Sequence, residues 1–202
     1  MNHDLYQLAL LSVFVLIIST RYMISVAKGI HPILILSREK PASEKAVEFL
    51  PVAGVGLAAL LVLRRIFTPQ IWPFLSTGFE VPLYLQLTGL IVALFSFIPL
   101  VMGYRALGPN WRVGLGDEEK SNLVTGGIFA YTRNPVYIFF YAFFTGLFLL
   151  NGDYSLLLLS LVVVVSLHIQ VLQEEKALHR RFGEVYLQYR EKVPRYFFYF
   201  KK

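Results

Sequence analysis

Residues 136–171 read VYIFFYAFFTGLFLL-NGD-YSLLLLSLVVVVSLHIQV, and this stretch decides the fold. Two apolar runs, 136–150 and 154–171, flank Asn151-Gly152-Asp153, a combination of residues that is typical of a turn. Each run approaches the roughly 20 apolar residues that a helix needs to cross a bilayer. The stretch therefore predicts a hairpin of two membrane helices.

Three more runs of similar character precede the hairpin, at 5–27, 46–67 and 83–104. Hydrophobic residues make up 56% of the 202 residues, and the mean hydropathy is +0.58, which is too apolar for an ordinary soluble domain. We therefore predict an all-α integral membrane protein with about five transmembrane helices. Gly54 and Gly56 in the second run predict close helix contact.

The basic residues predict the orientation of these helices. The formal net charge is +6, and Lys and Arg are concentrated between the first two helices, after the third, and in the tail. By the positive-inside rule these segments are cytoplasmic, which places the N-terminus outside and the C-terminus inside. Arg64 and Arg65 fall at the outer end of the second helix, and we interpret them as interfacial residues.

This charge pattern indicates the partners and the location of the protein. We expect a multi-pass protein of a prokaryotic cytoplasmic membrane whose partners are the bilayer, its anionic lipids and a lipophilic substrate. The basic residues do not follow the pattern of a nucleic-acid-binding domain, so we expect no nucleic acid. The chain has no Cys, which excludes disulfides and thiolate catalysis, and a lone His168 in the last apolar run predicts no metal site.

The chain also divides by character near residue 104. Region 1–104 is predicted to be a three-helix transmembrane region with few polar groups. Region 105–202 contains the hairpin, a predicted interfacial helix and nearly every residue suited to chemistry.

The first polar cluster joins a glycine pair to the start of the hairpin. Residues 123–127 read LVTGG, and Gly126-Gly127 would let the backbone approach a ligand closely. Asn134 and Pro135 suit the cap and the first turn of the following helix, whose N-terminus favours an anionic group. The alternative is a capped membrane helix with Arg133 at the interface.

The second polar cluster follows the hairpin. Gln170 and Glu174 are four residues apart and share a helix face, whereas Glu175 points elsewhere. Glu174 could accept a hydrogen bond from a ribose or an ammonium group, or could form only a salt bridge with Arg133. The aromatic tail that follows is either an interfacial helix or a lid over a bound cofactor.

Together the two clusters resemble the isoprenylcysteine carboxyl methyltransferase family and its phospholipid methyltransferase relatives. The resemblance covers roughly residues 108–195. The residues that match the two family motifs are Leu123, Val124, Gly127, Phe129, Arg133, Pro135, Tyr137, Glu174, Glu175, Phe182, Gly183 and Tyr186. Ser121, Phe129 and Asn134 stand where the family often has His, Tyr and His.

The resemblance implies a cytoplasmic-side pocket for S-adenosylmethionine, formed by the C-terminal half, with S-adenosylhomocysteine as the product. It implies Arg133 and Glu174 as catalytic residues. The cofactor-binding residues that it implies are Ser121, Asn122, Leu123, Val124, Phe129, Asn134, Pro135, Val136, Tyr137 and Glu174. His168 and Gln170 are the implied substrate-binding residues, and Gln170 stands where prenylcysteine enzymes have an Arg.

Three functions therefore stay open from the sequence. The leading one is methyl transfer from S-adenosylmethionine to a lipophilic acceptor, with Glu174, Glu175 or His168 as a base if the acceptor is an amine or a thiol. The second is an NADPH-dependent membrane reductase similar to sterol reductases, with the basic tail binding a 2′-phosphate. The third is a non-catalytic membrane scaffold or lipid-binding protein.

Overall fold

The computed structural model describes residues 3–27, 42–67, 77–108 and 122–197. They form six α-helices: α1 His3–Ala27, α2 Ala42–Phe67, α3 Leu83–Leu107, α4 Pro135–Asn151, α5 Tyr154–Phe182 and α6 Glu184–Lys192. A 3₁₀ turn spans Gly127–Ala130. Within these ranges the only β-type pairing is an isolated bridge between Gly78 and Asp153. The all-helical prediction is confirmed for this part of the chain.

All five predicted apolar runs lie within helices α1 to α5. Among the described residues, α3 and α5 are long and apolar enough to cross a membrane, while Ala53–Arg64 and α4 are shorter apolar helices. Five crossings and their orientation stay predictions. Helix α5 also continues past residue 171 to Phe182, so the second polar cluster belongs to the same helix as the apolar run.

The predicted turn between α4 and α5 is confirmed. Gly152 ends α4 with a φ of 68°, in the left-handed region that favours glycine, and its N–H donates to the Phe148 carbonyl at 2.7 Å. The Asp153 side chain then caps α5 by accepting from the Ser155 N–H at 2.8 Å. This tight connection fixes α4 and α5 as antiparallel neighbours.

Small residues bring the helices close together. A Cβ on Gly89 of α3 would lie 2.8 Å from the Gly146 carbonyl oxygen of α4, and a Cβ on Gly54 of α2 would lie 2.4 Å from Val163 of α5. The prediction for Gly54 is therefore confirmed. The prediction for Gly56 is wrong, because its helix face is exposed and a Cβ there would have no neighbour within 4 Å.

A cluster of phenylalanine rings fills the centre of the bundle. Phe14 of α1 stacks on Phe139 of α4 with ring centroids 5.2 Å apart, and Phe139 stacks on Phe143 at the same distance. Phe97 of α3 approaches Phe139 at 5.3 Å. Contacts of this kind stabilise a pair of rings by about 0.5–1.5 kcal/mol beyond their burial. The cluster fixes α4, whose first turn carries the polar residues described next.

Candidate functional site

Asn134 connects three segments at the start of α4. It occupies the position before Pro135, as predicted, but its side chain does not cap the helix. Instead, its amide nitrogen donates to Oε1 of Glu175 at 3.3 Å and to the Arg195 carbonyl at 3.2 Å. The bond to Glu175 is buried, whereas the bond to the Arg195 carbonyl is partly buried. Asn134, a residue type that often caps helices, thus joins α4, α5 and the tail by hydrogen bonds.

Glu175 is the charged centre of this region. Its carboxylate accepts from Nε of Arg195 at 3.0 Å and from Nη2 at 2.8 Å, which is a bidentate arrangement. Nη2 of Arg133 lies 3.4 Å from Oε1 of the same carboxylate. The hydrogen bond to Glu175 raises the pKa of Arg195. A buried carboxylate is thus neutralised by two arginines that are far apart in sequence.

Residues 193–196, which we call the clasp, hold the tail against this region. The Pro194 carbonyl accepts from the Arg133 N–H at 3.0 Å, and the Arg195 carbonyl accepts from Oγ1 of Thr132 at 3.1 Å. Val193 is buried. The clasp thus binds the two residues just before Asn134 through its main-chain carbonyls, and it binds Glu175 through the Arg195 side chain. These bonds set the positions of Arg133 and Glu175.

A cavity of about 170 Å³ lies beside the clasp. One side comes from the segment that leads into α4: Asn122, Leu123, Val124, Phe129, Arg133 and Asn134. The other side comes from the ends of α3 and α5 and from α6: Leu107, Glu175, Leu178, Arg181, Phe182, Tyr186 and Tyr189. Gly127 lies between Val124 and Phe129, and its φ of 62°, which favours glycine, lets the chain turn there.

Several buried polar atoms at the cavity have no hydrogen-bond partner among the described residues. They are Nε and Nη1 of Arg133 and the hydroxyl of Tyr186. Burial raises the pKa of Tyr186 and nearby Glu175 raises it further, while the charge of Arg133 and the closeness of its guanidinium to this hydroxyl lower it. Unpaired buried donors on a charged group are costly. The Arg133 guanidinium and the Tyr186 hydroxyl are therefore candidate contacts for a polar ligand.

Tyr189 closes the cavity from α6. Its hydroxyl donates to the Phe129 carbonyl at 2.7 Å, which links α6 to the 3₁₀ turn. Burial raises the pKa of Tyr189, so the phenol, which is protonated at neutral pH in any case, also keeps this bond into the alkaline range. The tail therefore supplies part of the cavity as well as its support.

The structure brings together part of the predicted cofactor set. Asn122, Leu123, Val124, Phe129 and Asn134 line the cavity with Arg133, whereas Ser121 lies outside the described residues. Pro135 and Val136 are not among the lining residues. They face α3, where a Cβ on Gly103 would lie 3.4 Å from Pro135 and 3.1 Å from Val136.

The two adjacent glutamates have different surroundings. Glu175 lines the cavity, while Glu174, which the sequence assigns to the cofactor, is not among the lining residues. Oε1 of Glu174 accepts from the Tyr137 hydroxyl at 2.5 Å, so these two predicted cofactor residues are bound to each other. The roles predicted for Glu174, Tyr137, Pro135 and Val136 stay predictions.

The predicted substrate residues also lie apart from the cavity lining. His168 is exposed on α5, and its Nδ1 lies 2.9 Å from the Tyr196 hydroxyl. The same hydroxyl lies 2.9 Å from that of Tyr141 on α4. Gln170 is buried in α5. Tyr196 belongs to the clasp, so one segment touches both the cavity region and His168.

Comparison with known families adds to this geometry. A family model described as phospholipid methyltransferase matches residues 85–185, which is half of the chain. The chain belongs to the phospholipid methyltransferase family. The resemblance found in the two motifs is thereby confirmed at the level of the family.

The chain is also similar to the Protein-S-isoprenylcysteine O-methyltransferase of Schizosaccharomyces pombe. The two sequences are 44% identical over 73 residues. The match covers 36% of this chain and 31% of the relative, so it spans about a third of each protein.

The match to the phospholipid methyltransferase family ends before several residues of the site. It includes Arg133, Asn134 and Glu175, but Tyr189 and Arg195 come after residue 185. Sequence reasoning did not assign either residue to the site. A signal for Arg195 was present, because two adjacent glutamates at the end of an apolar run need a cation, and the tail offered several.

Proposed function

We propose that the protein is an S-adenosylmethionine-dependent methyltransferase that acts on a lipophilic acceptor delivered from the bilayer. One observation carries the proposal. Arg133 lines the cavity, and its Nε and Nη1 atoms are buried without a hydrogen-bond partner among the described residues. A planar guanidinium with two unused donors suits a carboxylate, which is what the methionine part of this cofactor carries.

The side chains that line the rest of the cavity also suit parts of this cofactor. Leu123, Val124 and Phe129 offer apolar surface for an adenine ring, and Phe182 adds an aromatic face on the opposite side. The Asn122 side chain and the Tyr186 hydroxyl offer polar groups for an amino group or a ribose. When bound, S-adenosylmethionine supplies a methyl group on a positively charged sulfur, which a nucleophile can attack.

The protein's own contribution in this proposal is alignment and exclusion of water. Arg133 binds the carboxylate end, and Glu175 with Arg195 holds the Arg133 guanidinium in one orientation. Tyr189 lines the cavity on the side of α6, and the clasp holds the segment before α4 that lines the other side. Positioning two reactants can lower a reaction barrier by about 7–11 kcal/mol. Alignment alone can therefore account for a large part of the catalysis.

The acceptor is proposed to be lipophilic for two reasons. The exposed surfaces of α3 and α5 carry large apolar side chains such as Leu94, Phe95, Leu161 and Val165, which suit contact with lipid. The relative from Schizosaccharomyces pombe is named for an isoprenylcysteine, a lipid-modified residue. An amphiphile held in the bilayer would reach the protein along these surfaces.

Calorimetric titration of the detergent-purified protein tests the proposal. S-adenosylhomocysteine and NADPH are titrated in parallel, and we expect only S-adenosylhomocysteine to bind. Binding of NADPH alone would support a reductase. If neither bound to a sample that still unfolds cooperatively on heating, the protein would be a scaffold or lipid-binding protein.

A further inference from the structure

A chain of side-chain hydrogen bonds lies outside the cavity lining and connects Tyr141, Tyr196 and His168. The Tyr196 hydroxyl lies 2.9 Å from both the Tyr141 hydroxyl and Nδ1 of His168. The rings of Tyr141 and Tyr196 also meet edge to face, with centroids 5.4 Å apart. We call these three residues the Tyr–His cluster. It joins α4, α5 and the clasp.

The cluster differs from the other polar side chains of the same apolar helices. The hydroxyls of those other side chains donate to carbonyls of their own helices, at 2.7 Å for Thr145, 2.6 Å for Ser160 and 2.8 Å for Ser166. Their hydrogen-bond donors are therefore satisfied within one helix. His168 is exposed, and its Nε2 has no hydrogen-bond partner in the described part of the chain. His168 belongs to an apolar helix that is long enough to cross a membrane, where an exposed polar group is costly and is a candidate functional contact.

The Tyr–His cluster lies on the same side of the helices as the cavity. Tyr141 follows Asn134 by seven residues on α4, and His168 precedes Glu175 by seven residues on α5. Seven residues are about two turns, or about 10 Å along a helix, and return a side chain to nearly the same face. The cluster is therefore deeper in the apolar part of the hairpin, directly beyond the Asn134–Glu175 contact.

The charges near the Tyr–His cluster limit what it can bind. Helix α4 has no Asp, Glu, Lys or Arg, and α5 has none before Glu174. Arg195 adjoins Tyr196 in sequence, but its guanidinium is bound to Glu175. A carboxylate at this depth would find no free cation on α4 or α5. Two phenols and an imidazole instead suit a group that both donates and accepts hydrogen bonds.

We propose that the Tyr–His cluster binds the polar head of the methyl acceptor, and that this head is an uncharged group able to donate and accept a hydrogen bond. The proposal rests on the proposed function, since it takes the acceptor from it, and it narrows the substrate class to neutral amines, thiols or hydroxyls on a lipophilic tail. His168 makes the direct contact through Nε2, and Tyr141 and Tyr196 orient its ring.

Nitrogen-15 NMR of the full-length protein in phosphatidylcholine nanodiscs tests the site without any cofactor. The chain has four histidines, so the ring signals can be separated, and His168→Ala assigns the signal of His168. The two probes are 4-dodecylaniline, which is neutral at neutral pH, and 4-dodecylbenzoate, which is a carboxylate with the same tail. We expect the aniline to shift the His168 signal and the benzoate to bind at least ten-fold more weakly.

Two variants sharpen the measurement. Tyr196→Phe removes the hydroxyl that orients the His168 ring, and we expect it to weaken aniline binding by about ten-fold, because the contact through Nε2 is then no longer held in place. Tyr84→Phe changes an exposed tyrosine at the start of α3 and should leave the affinity unchanged. The signal of His179, exposed near the end of α5, serves as an internal control.

The outcomes separate this inference from the proposed function. A His168 signal that ignores the aniline, or responds equally to the benzoate, overturns the head-group site even if S-adenosylhomocysteine binds normally. An affinity that is unchanged in Tyr196→Phe does the same. Failure of S-adenosylhomocysteine to bind, with the aniline response intact, removes the proposed methyl transfer but leaves the head-group site standing.

Discussion

Arg133 has a structural contact with Glu175 and, in the proposed function, also binds the cofactor. One guanidinium nitrogen lies 3.4 Å from Glu175, while two others have no partner among the described residues. Replacement by Ala removes charged donors from the cavity. We expect Arg133→Ala to weaken S-adenosylhomocysteine binding by roughly ten- to a hundred-fold, since a hydrogen bond to a charged group contributes about 1.5–3 kcal/mol. Calorimetric titration measures the loss.

Two further variants control this experiment. Arg133→Lys keeps the charge but loses the planar arrangement of donors, so we expect an intermediate affinity. Arg180→Ala removes an exposed arginine of α5 outside the cavity and should bind normally. An affinity unchanged in Arg133→Ala would show that the guanidinium does not contact the cofactor.

Glu174 and Glu175 can be compared by the same conservative change. Glu175→Gln leaves Arg195 and Arg133 without their counter-charge, and breaking such a buried pair costs about 3 kcal/mol. Glu174→Gln keeps an oxygen that can accept from Tyr137, so we expect little loss of stability. Thermal unfolding in detergent measures both. Equal midpoints for the two variants would contradict the structural role of Glu175.

The Glu174→Gln variant also tests the cofactor contact predicted from the sequence. Because this variant stays folded, a loss of S-adenosylhomocysteine affinity would reflect binding and not stability. We expect such a loss if the Tyr137–Glu174 pair approaches the cofactor. Normal affinity would remove both residues from the cofactor site.

Tyr189 predicts how stability changes at alkaline pH. Burial raises the pKa of Tyr189 above its ordinary value of about 10. The phenol of the unfolded chain therefore ionises first as the pH rises, and the folded state loses stability above about pH 10. Below that pH both states are protonated and the residue contributes no pH dependence.

Unfolding midpoints measured at increasing alkaline pH test this sign. We expect Tyr189→Phe to be about 1 kcal/mol less stable at neutral pH, because the bond to the Phe129 carbonyl is lost. We also expect its stability to fall less steeply above about pH 10. A slope identical to that of the unaltered protein would contradict the burial of this phenol.

At the scale of helices, the contact between α3 and α4 depends on Gly89 and Gly146. A Cβ on Gly146 would lie 2.7 Å from the Gly89 carbonyl oxygen, so Gly146→Ala must separate the helices. Overpacking of this kind costs about 1–3 kcal/mol. Gly56→Ala is the matched control, because it adds the same methyl group with no neighbour within 4 Å. Thermal unfolding should show a lower midpoint for Gly146→Ala alone.

The sequence predicted the helices better than their ends. Apolar runs locate a helix because burial and lipid contact both require apolar side chains, and the Asn151-Gly152-Asp153 turn needed only local residues. Helix α5 was predicted as far as Glu174 and Glu175 but not to its end at Phe182, because charged residues after Val171 end the apolar pattern without ending the helix. Gly56 was assigned to a contact because nothing in the sequence tells which face of α2 meets a neighbour.

The candidate site was only partly predictable for a related reason. The motif around Arg133 is continuous in sequence, and five of its predicted cofactor residues line the cavity. The choice between Glu174 and Glu175 depends on the rotation of α5 and on Arg195, which comes twenty residues after Glu175. Such a long-range contact leaves no periodic pattern in one sequence.

For the whole molecule, the predicted orientation can be tested with single cysteines, because the chain has none of its own. Glu80 precedes α3, and Lys192 ends α6; both are exposed. With a cytoplasmic C-terminus, an impermeant maleimide should label Glu80→Cys in intact cells and Lys192→Cys only after permeabilisation. The reverse pattern would invert the topology, and labelling of both in intact cells would contradict the number of crossings.

The clasp has a consequence for how the protein is made. Arg195 is translated after α4 and α5, so during synthesis Glu175 and Asn134 leave the ribosome before their partner exists. Until the clasp arrives, the nascent chain carries a carboxylate without its bidentate arginine at the end of an apolar helix. The site is therefore completed only after α4, α5 and α6 have been translated, and a ribosome that stops before residue 195 releases these helices without the bidentate contact to Glu175.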